Sequence, residues 1–199
     1  PLNGINTLVK PVSSKLYESG DMRVLERVYQ ASSRLILTFS LMVAAPLIFK
    51  PEISLIISKN LSSYLWIFTV LGTSRILETG AGSCGNLLKM TGHASAHMKI
   101  NLVLAAISLP LTAFLVIKGG LIGLTAGFIF SMLSNNLAQV IALYRREGIQ
   151  PFTVPHVKPL CAFILSSAFL LTTGSSGRLA AIFQSIISML IYLGAITVF

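Results

Sequence analysis

The chain has 199 residues, 54% hydrophobic and only 11% charged, with a formal net charge of +9 and a mean hydropathy of +0.81. Soluble domains carry about 25% charged residues, so this composition excludes an ordinary soluble domain and points to an all-α integral membrane protein. The two cysteines, Cys84 and Cys161, fall in apolar runs and imply packing, not a disulfide framework.

In chain order, the first apolar run is interrupted by Lys10 and Pro11, so no segment reads as a signal peptide. The chain begins at Pro1 and ends at Phe199 inside an apolar run; residues 1–9 read as the tail of an earlier span. Gly20-Asp21 punctuates the next segment, with Asp21 as N-cap of a helix starting at Met22. That helix continues into the first full span, 31–49. Arg23, Arg27, Gln30, Arg34 and Thr38 share one of its faces, and Leu25, Val28, Tyr29 and Ile36 lie opposite. Two readings of the basic stripe stay open: side chains snorkelling to lipid phosphates, or contacts for an anionic substrate headgroup.

Five further runs approach the length that a hydrocarbon core of about 30 Å requires: 63–88, 99–118, 120–144, 159–174 and 179–199. The expected architecture is a single membrane domain over 1–199, a bundle of about six transmembrane helices. Pro46 and Pro110 fall inside spans and are expected to kink them, for packing or for gating.

The second span carries the strongest signal. Arg75 and Glu78 sit near its middle, where an ionisable group costs about 2.5–3.5 kcal/mol even on lenient insertion scales. Read as one continuous helix, it places Arg75, Glu78, Thr79, Gly82, Asn86 and Lys89 on a polar stripe opposite Ile76, Leu77, Ala81, Cys84, Leu87 and Leu88. The stripe predicts a cavity wall. Arg75 and Glu78 are either a self-neutralising pair or cavity charges that meet substrate or a coupling ion. Gly80, Gly82, Ser83 and Gly85 predict close helix approach.

In 120–144, Gly127, Ser131, Ser134, Asn135 and Ala138 share a face, with Asn135 preferred over Asn136 as a cavity residue. Gly123 and Gly127 have GxxxG spacing. His93 and His97 are four apart but have no acidic or cysteine neighbour in sequence, so no metal site is expected. No Ser-His-Asp arrangement, Walker loop or dinucleotide glycine pattern is present, so neither an enzyme nor a cofactor is expected.

The +9 charge follows topology and not nucleic-acid binding. With the N-terminal segment inside, the inner regions hold Lys10, Lys15, Arg23, Arg27, Arg34, Lys89, Lys99, Arg145, Arg146 and Lys158, ten cations. Four, Lys50, Lys59, Lys118 and Arg178, fall outside, with Arg75 set aside. This satisfies the positive-inside rule and predicts cytoplasmic chain ends in a multi-pass membrane protein.

Three stretches then resemble a family. PVSSKLYESGDMRVLERVYQASSRLI (11–36) has a Pro-Ser helix end, "LY…GD…L" and an Arg opening the next span. RILETGAGSCGNLLKMTGH (75–93) has small residues before an "MTG" turn. INLVLAAISLPLTAFLVIKGGLIGLTAGFIFSMLSNNLAQVIALYRREGIQPF (100–152) has an early Asn, a Gly-bearing turn, a Gly/Ala-rich span and a "G-I-x-P" loop. In order and spacing these resemble the C-terminal half of polysaccharide (O-antigen-type) flippases of the multidrug/oligosaccharidyl-lipid/polysaccharide exporter superfamily. One departure is the patch after the turn, Gly120-Leu121-Ile122-Gly123-Leu124-Thr125-Ala126, where the family has "G-x-x-G-A-A".

The resemblance implies one lobe of a two-lobed transporter, with the N-terminal lobe outside this chain. It implies ion- or potential-driven alternating access that flips lipid-linked oligosaccharide or polysaccharide precursors. Its implied partners are the glycan-lipid substrate, membrane lipids, the other lobe and polysaccharide-assembly proteins. Arg75 and the Arg23/Arg27/Arg34 stripe would suit a pyrophosphate; Glu78, Thr79, Asn86 and Asn135 complete the candidate cavity set. A drug/cation antiporter of the same superfamily, coupled through Glu78, and a non-transporting scaffold are the alternatives.

Overall fold

A computed structural model describes residues 11–49, 65–173 and 178–198, and among them every regular element is a helix. In order these are α1 (residues 11–18), α2 (Met22–Phe49), α3 (Leu65–Gly80), α4 (Cys84–Met90), α5 (Ala94–Glu147), a 3-10 turn (Val154–His156), α6 (Val157–Thr172) and α7 (Arg178–Val198). Among the described residues, four helices are long and apolar enough to cross a membrane: Met22–Pro46, Ala94–Glu147, Val154–Thr172 and Ala180–Thr197. The expectation that residues 1–9 continue an earlier span, and the loop cations Lys10, Lys50 and Lys59, lie outside the described residues.

Asp21 stands directly before α2, and its carbonyl accepts from the Val24 and Leu25 N–H groups. Gly20, at φ +77°, supplies the left-handed turn that separates α1 from α2. The amphipathic reading of α2 holds: Leu25, Tyr29 and Ile36 are fully buried, while Arg23, Arg27 and Arg34 are exposed. Pro46 lies inside α2 and Pro110 inside α5.

α5 is two helices. Gly120 takes φ +53° and ψ −126° inside it, a conformation that breaks helical geometry and that glycine alone adopts cheaply. The limbs 94–119 and 121–147 fold back as a hairpin, as the two predicted spans required. Gly123 faces Leu115, whose carbonyl oxygen any Cβ would strike, and Gly127 faces the Thr112 side chain. Ser131 Oγ donates to Ser108 Oγ at 3.2 Å, Gln139 reaches Asn101, and His93 meets Glu147. Positions 115/123, 112/127, 108/131, 101/139 and 93/147 thus hold one antiparallel register along the whole hairpin. At 1.5 Å per residue each limb is about 40 Å long, more than a hydrocarbon core of about 30 Å. The outer faces are apolar and exposed: Leu102, Leu109, Ile117, Ile122 and Leu137 are each 62–81% exposed.

The predicted continuous helix over 63–88 is not found. α3 ends at Gly80 and α4 begins at Cys84. The break is local chemistry: Gly80-Ala81-Gly82-Ser83 contains poor helix formers, and Gly82 sits at φ +64°. The carbonyls released by the break find partners on α2. Tyr29 Oη donates to Ala81 O at 2.7 Å, and Ser33 Oγ donates to Gly80 O at 2.9 Å. The stripe from Arg75 to Lys89 is therefore split between two helices.

By contacts the described residues fall into two compact units, one drawn from the chain up to Ile36 with Leu77–Phe152, the other from Leu37–Ile76 with the chain from Thr153 on. The first has a core of Leu25, Tyr29, Cys84, Leu87, Leu88, Leu143 and Ile149, each large apolar side chain worth about 1.5–3 kcal/mol on full burial. The second is built on Leu37, Leu41, Ala162 and Tyr192. There Tyr192 Oη donates to Thr38 O at 2.9 Å, and the Phe49 and Phe163 rings lie 6.4 Å apart.

Candidate functional site: a polar cavity at the break between α3 and α4

Because α3 stops early, its last turn, the break and α4 meet the α5 hairpin around a cavity of about 200 Å³. Glu78 comes from the end of α3, and Asn86 and Lys89 come from α4. His97 comes from the first limb of α5, and Asn135, Asn136 and Gln139 come from the second. Gly85 permits this approach, since a Cβ there would strike Gln139 Oε1 and sit 3.0 Å from the His97 ring.

The wall on the α5 side is a hydrogen-bonded network. Gln139, 5% exposed, donates from Nε2 to Asn135 Oδ1 at 2.9 Å and to Asn101 Oδ1 at 3.2 Å. Asn101 Nδ2 meets His97 Nε2 at 3.0 Å. The Cys84 thiol lies 3.7 Å from Gln139 Oε1 and 3.8 Å from Asn136 Oδ1. Asn136 Nδ2 and His97 Nδ1 are buried without a hydrogen-bond partner among the described residues, a situation native proteins rarely leave unanswered. The site offers amide donors and acceptors, one imidazole, one carboxylate and one ammonium. Among the described residues no group of three His, Cys, Asp or Glu is placed to hold a metal ion.

Of the residues singled out from sequence, Glu78, Asn86 and Asn135 line this cavity, joined by Lys89. Thr79 is half-buried beside it and outside the lining, its carbonyl accepting from the Gly82 N–H at 3.0 Å. Arg75 is exposed and also outside the lining, as are Arg23, Arg27 and Arg34 on the exposed face of α2. Asn136 lines the cavity together with Asn135, against the preference for one of the two, because the cavity opens between three segments and takes in more than one face of a limb. Gln139, in the lining, and Asn101, bonded to it, are additions, and His97, raised from sequence only as a metal partner of His93, joins the lining. Their sequence signal is spacing: Asn135 and Gln139 are four apart on one limb, His97 and Asn101 four apart on the other. His93 and His97 do not act together; His93 Nε2 lies 2.7 Å from Glu147 Oε1.

No family model, curated protein or solved structure matches this chain. The cavity's chemistry therefore carries the functional reading.

Proposed function

We propose that this chain forms one lobe of an integral-membrane transporter, and that its cargo is a lipid-linked oligosaccharide or polysaccharide precursor carried across the plasma membrane by alternating access. The observation that carries the reading is the cavity lined by Asn86, Asn135, Asn136 and Gln139 between helices whose outer faces are apolar. Polar side chains at that position are expensive in a bilayer unless they face a hydrated or ligand-filled space. Side-chain amides offer both donors and acceptors, which matches the hydroxyls of a glycan better than a featureless cation. Apolar exposure of the hairpin on this scale supports a lipid-facing or partner-facing surface. The resemblance of residues 11–36, 75–93 and 100–152 to polysaccharide flippases points the same way.

The test uses cells whose surface polysaccharide depends on the full-length protein. Gln139→Leu and Asn135→Leu are expected to abolish surface glycan while membrane-fraction protein stays at its normal level. Normal glycan from both variants would remove the cavity from the transport path.

A second reading, a drug/cation antiporter, is favoured by one observation: the carboxylate Glu78 lines the cavity and Arg75 does not. It predicts that Glu78→Gln abolishes resistance to cationic compounds and spares surface glycan.

A further inference from the structure

The α5 hairpin carries a second concavity, on a different face from the polar cavity. It is an open groove of about 570 Å³ between the two limbs. Its floor is apolar, formed by Ala96 and Ile100 from one limb and Ala138, Ile141 and Ala142 from the other. Small residues face each other across it, which keeps the groove wide. Three cations, Lys99, Arg145 and Arg146, border it. All three are exposed, and none forms an ion pair with a carboxylate among the described residues. The nearby carboxylate Glu147 is engaged by His93 at 2.7 Å, and Arg146 Nη1 lies 3.3 Å from His93 Nδ1. The groove thus combines apolar walls with uncompensated positive charge within two turns of the hairpin's open end.

We propose that this groove is a binding site for an anionic phospholipid: acyl chain along Ala96, Ile100, Ala138 and Ala142, phosphate at Lys99, Arg145 and Arg146. Charge complementarity selects the occupant. Guanidinium groups bind phosphate oxygens in a fork geometry, and basic clusters at the end of a spanning helix attract anionic headgroups. An apolar groove alone would accept any acyl chain; the three cations make the site discriminate by headgroup. The inference rests on the hairpin crossing a bilayer and is independent of the cargo. It also ties the excess of inner cations at the ends of 99–118 and 120–144 to a specific place.

The experiment reconstitutes the full-length protein into lipid discs containing equal amounts of phosphatidylglycerol and phosphatidylcholine and counts retained lipids by native mass spectrometry. Wild type is expected to retain phosphatidylglycerol over phosphatidylcholine, since each basic residue near an anionic surface contributes on the order of a fivefold preference. The triple variant Lys99→Gln/Arg145→Gln/Arg146→Gln is expected to lose that preference, a loss on the order of a hundredfold if the three contributions are independent. Arg145→Lys/Arg146→Lys keeps the charge and should retain most of it. Lys118→Gln, at the other end of the hairpin, should leave it unchanged. Ala142→Trp, which fills the groove and spares the cations, should lower retention of both lipids. Equal retention of the two lipids by wild type, or full preference in the triple variant, overturns the proposal. A protein that stays soluble without detergent overturns the membrane reading and the proposal together.

Discussion

Gly127 and Thr112 face each other across the α5 hairpin so closely that a Cβ on the glycine would lie 2.5 Å from Thr112 Oγ1. One turn towards the tip, Gly123 stands against the Leu115 carbonyl in the same way. Two glycines on one face therefore set the distance between the limbs, and backbone contact of this kind is how helices associate where water supplies no driving force. Gly123→Ala and Gly127→Ala should each lower stability by about 1–3 kcal/mol through overpacking. Gly123→Ala is the worse of the two because it meets backbone. Gly119→Ala, with nothing within 4 Å, should be tolerated far better. Thermal unfolding in detergent checks the order.

Gly82 tests the helix break. It has φ +64°, and a Cβ there would lie 2.9 Å from Ser33 Cβ. Gly92 has φ +76° with nothing near. Both Gly82→Ala and Gly92→Ala incur the left-handed strain of about 1–2 kcal/mol, but only Gly82→Ala adds a clash with α2. Gly82→Ala should be the more destabilising by a clear margin. Equal losses in the two variants would mean that α2 does not hold the break in place.

Tyr29 is the other half of that arrangement. Its hydroxyl is buried and bonded to Ala81 O at 2.7 Å. Tyr29→Phe keeps the ring in the core with Leu25 and Leu88 and removes one donor from a buried carbonyl. The expected loss is about 1–3 kcal/mol. Ser33→Ala, which frees Gly80 O, should cost a similar amount. As the two bonds serve one break, the double variant should depart from additivity, which a double-mutant cycle measures directly.

Much of this architecture is legible in the sequence, and the illegible parts share a cause. Apolar run lengths locate the helices, Gly119-Gly120 marks the hairpin tip, and the three-four spacing of Leu25, Tyr29 and Ile36 marks the buried face of α2. What the helical wheel misses is the end of α3. The run from Ser63 to Met90 is apolar enough to read as one span, and its small residues read as a packing surface. The same glycines that permit close packing also permit a break, and the carbonyls it releases are bonded by the hydroxyls of Tyr29 and Ser33, some fifty residues earlier in the chain. The cavity is hidden for the same reason. Glu78, Asn86 and Asn135 are visible as polar residues on apolar helices. Gln139, His97 and Asn101 join them only through the register of the hairpin, a long-range property that no single helix face encodes.

Gln139 is the residue on which the site is best tested. It is 5% exposed and bonded to Asn135 and Asn101, with the Cys84 thiol beside its carbonyl oxygen. Gln139→Leu preserves the side chain's approximate bulk and removes every polar contact, leaving Asn135 Oδ1 and Asn101 Oδ1 without their shared donor. Gln139→Glu keeps the shape and the acceptor but replaces the amide donor with a charge beside Asn135 Oδ1 and Asn101 Oδ1. If the network serves only to hold the two limbs of α5 together, the leucine variant should lose about 1–3 kcal/mol, because Asn135 Oδ1 and Asn101 Oδ1 lose their buried donor, and transport by the protein that stays folded should survive. If it orders the cavity for a polar cargo, both variants should lower transport by at least tenfold, with the leucine variant still folded. Parallel measurement of surface glycan and of unfolding temperature separates the two outcomes, and transport at wild-type rate by a folded Gln139→Leu protein would restrict the network to a structural role.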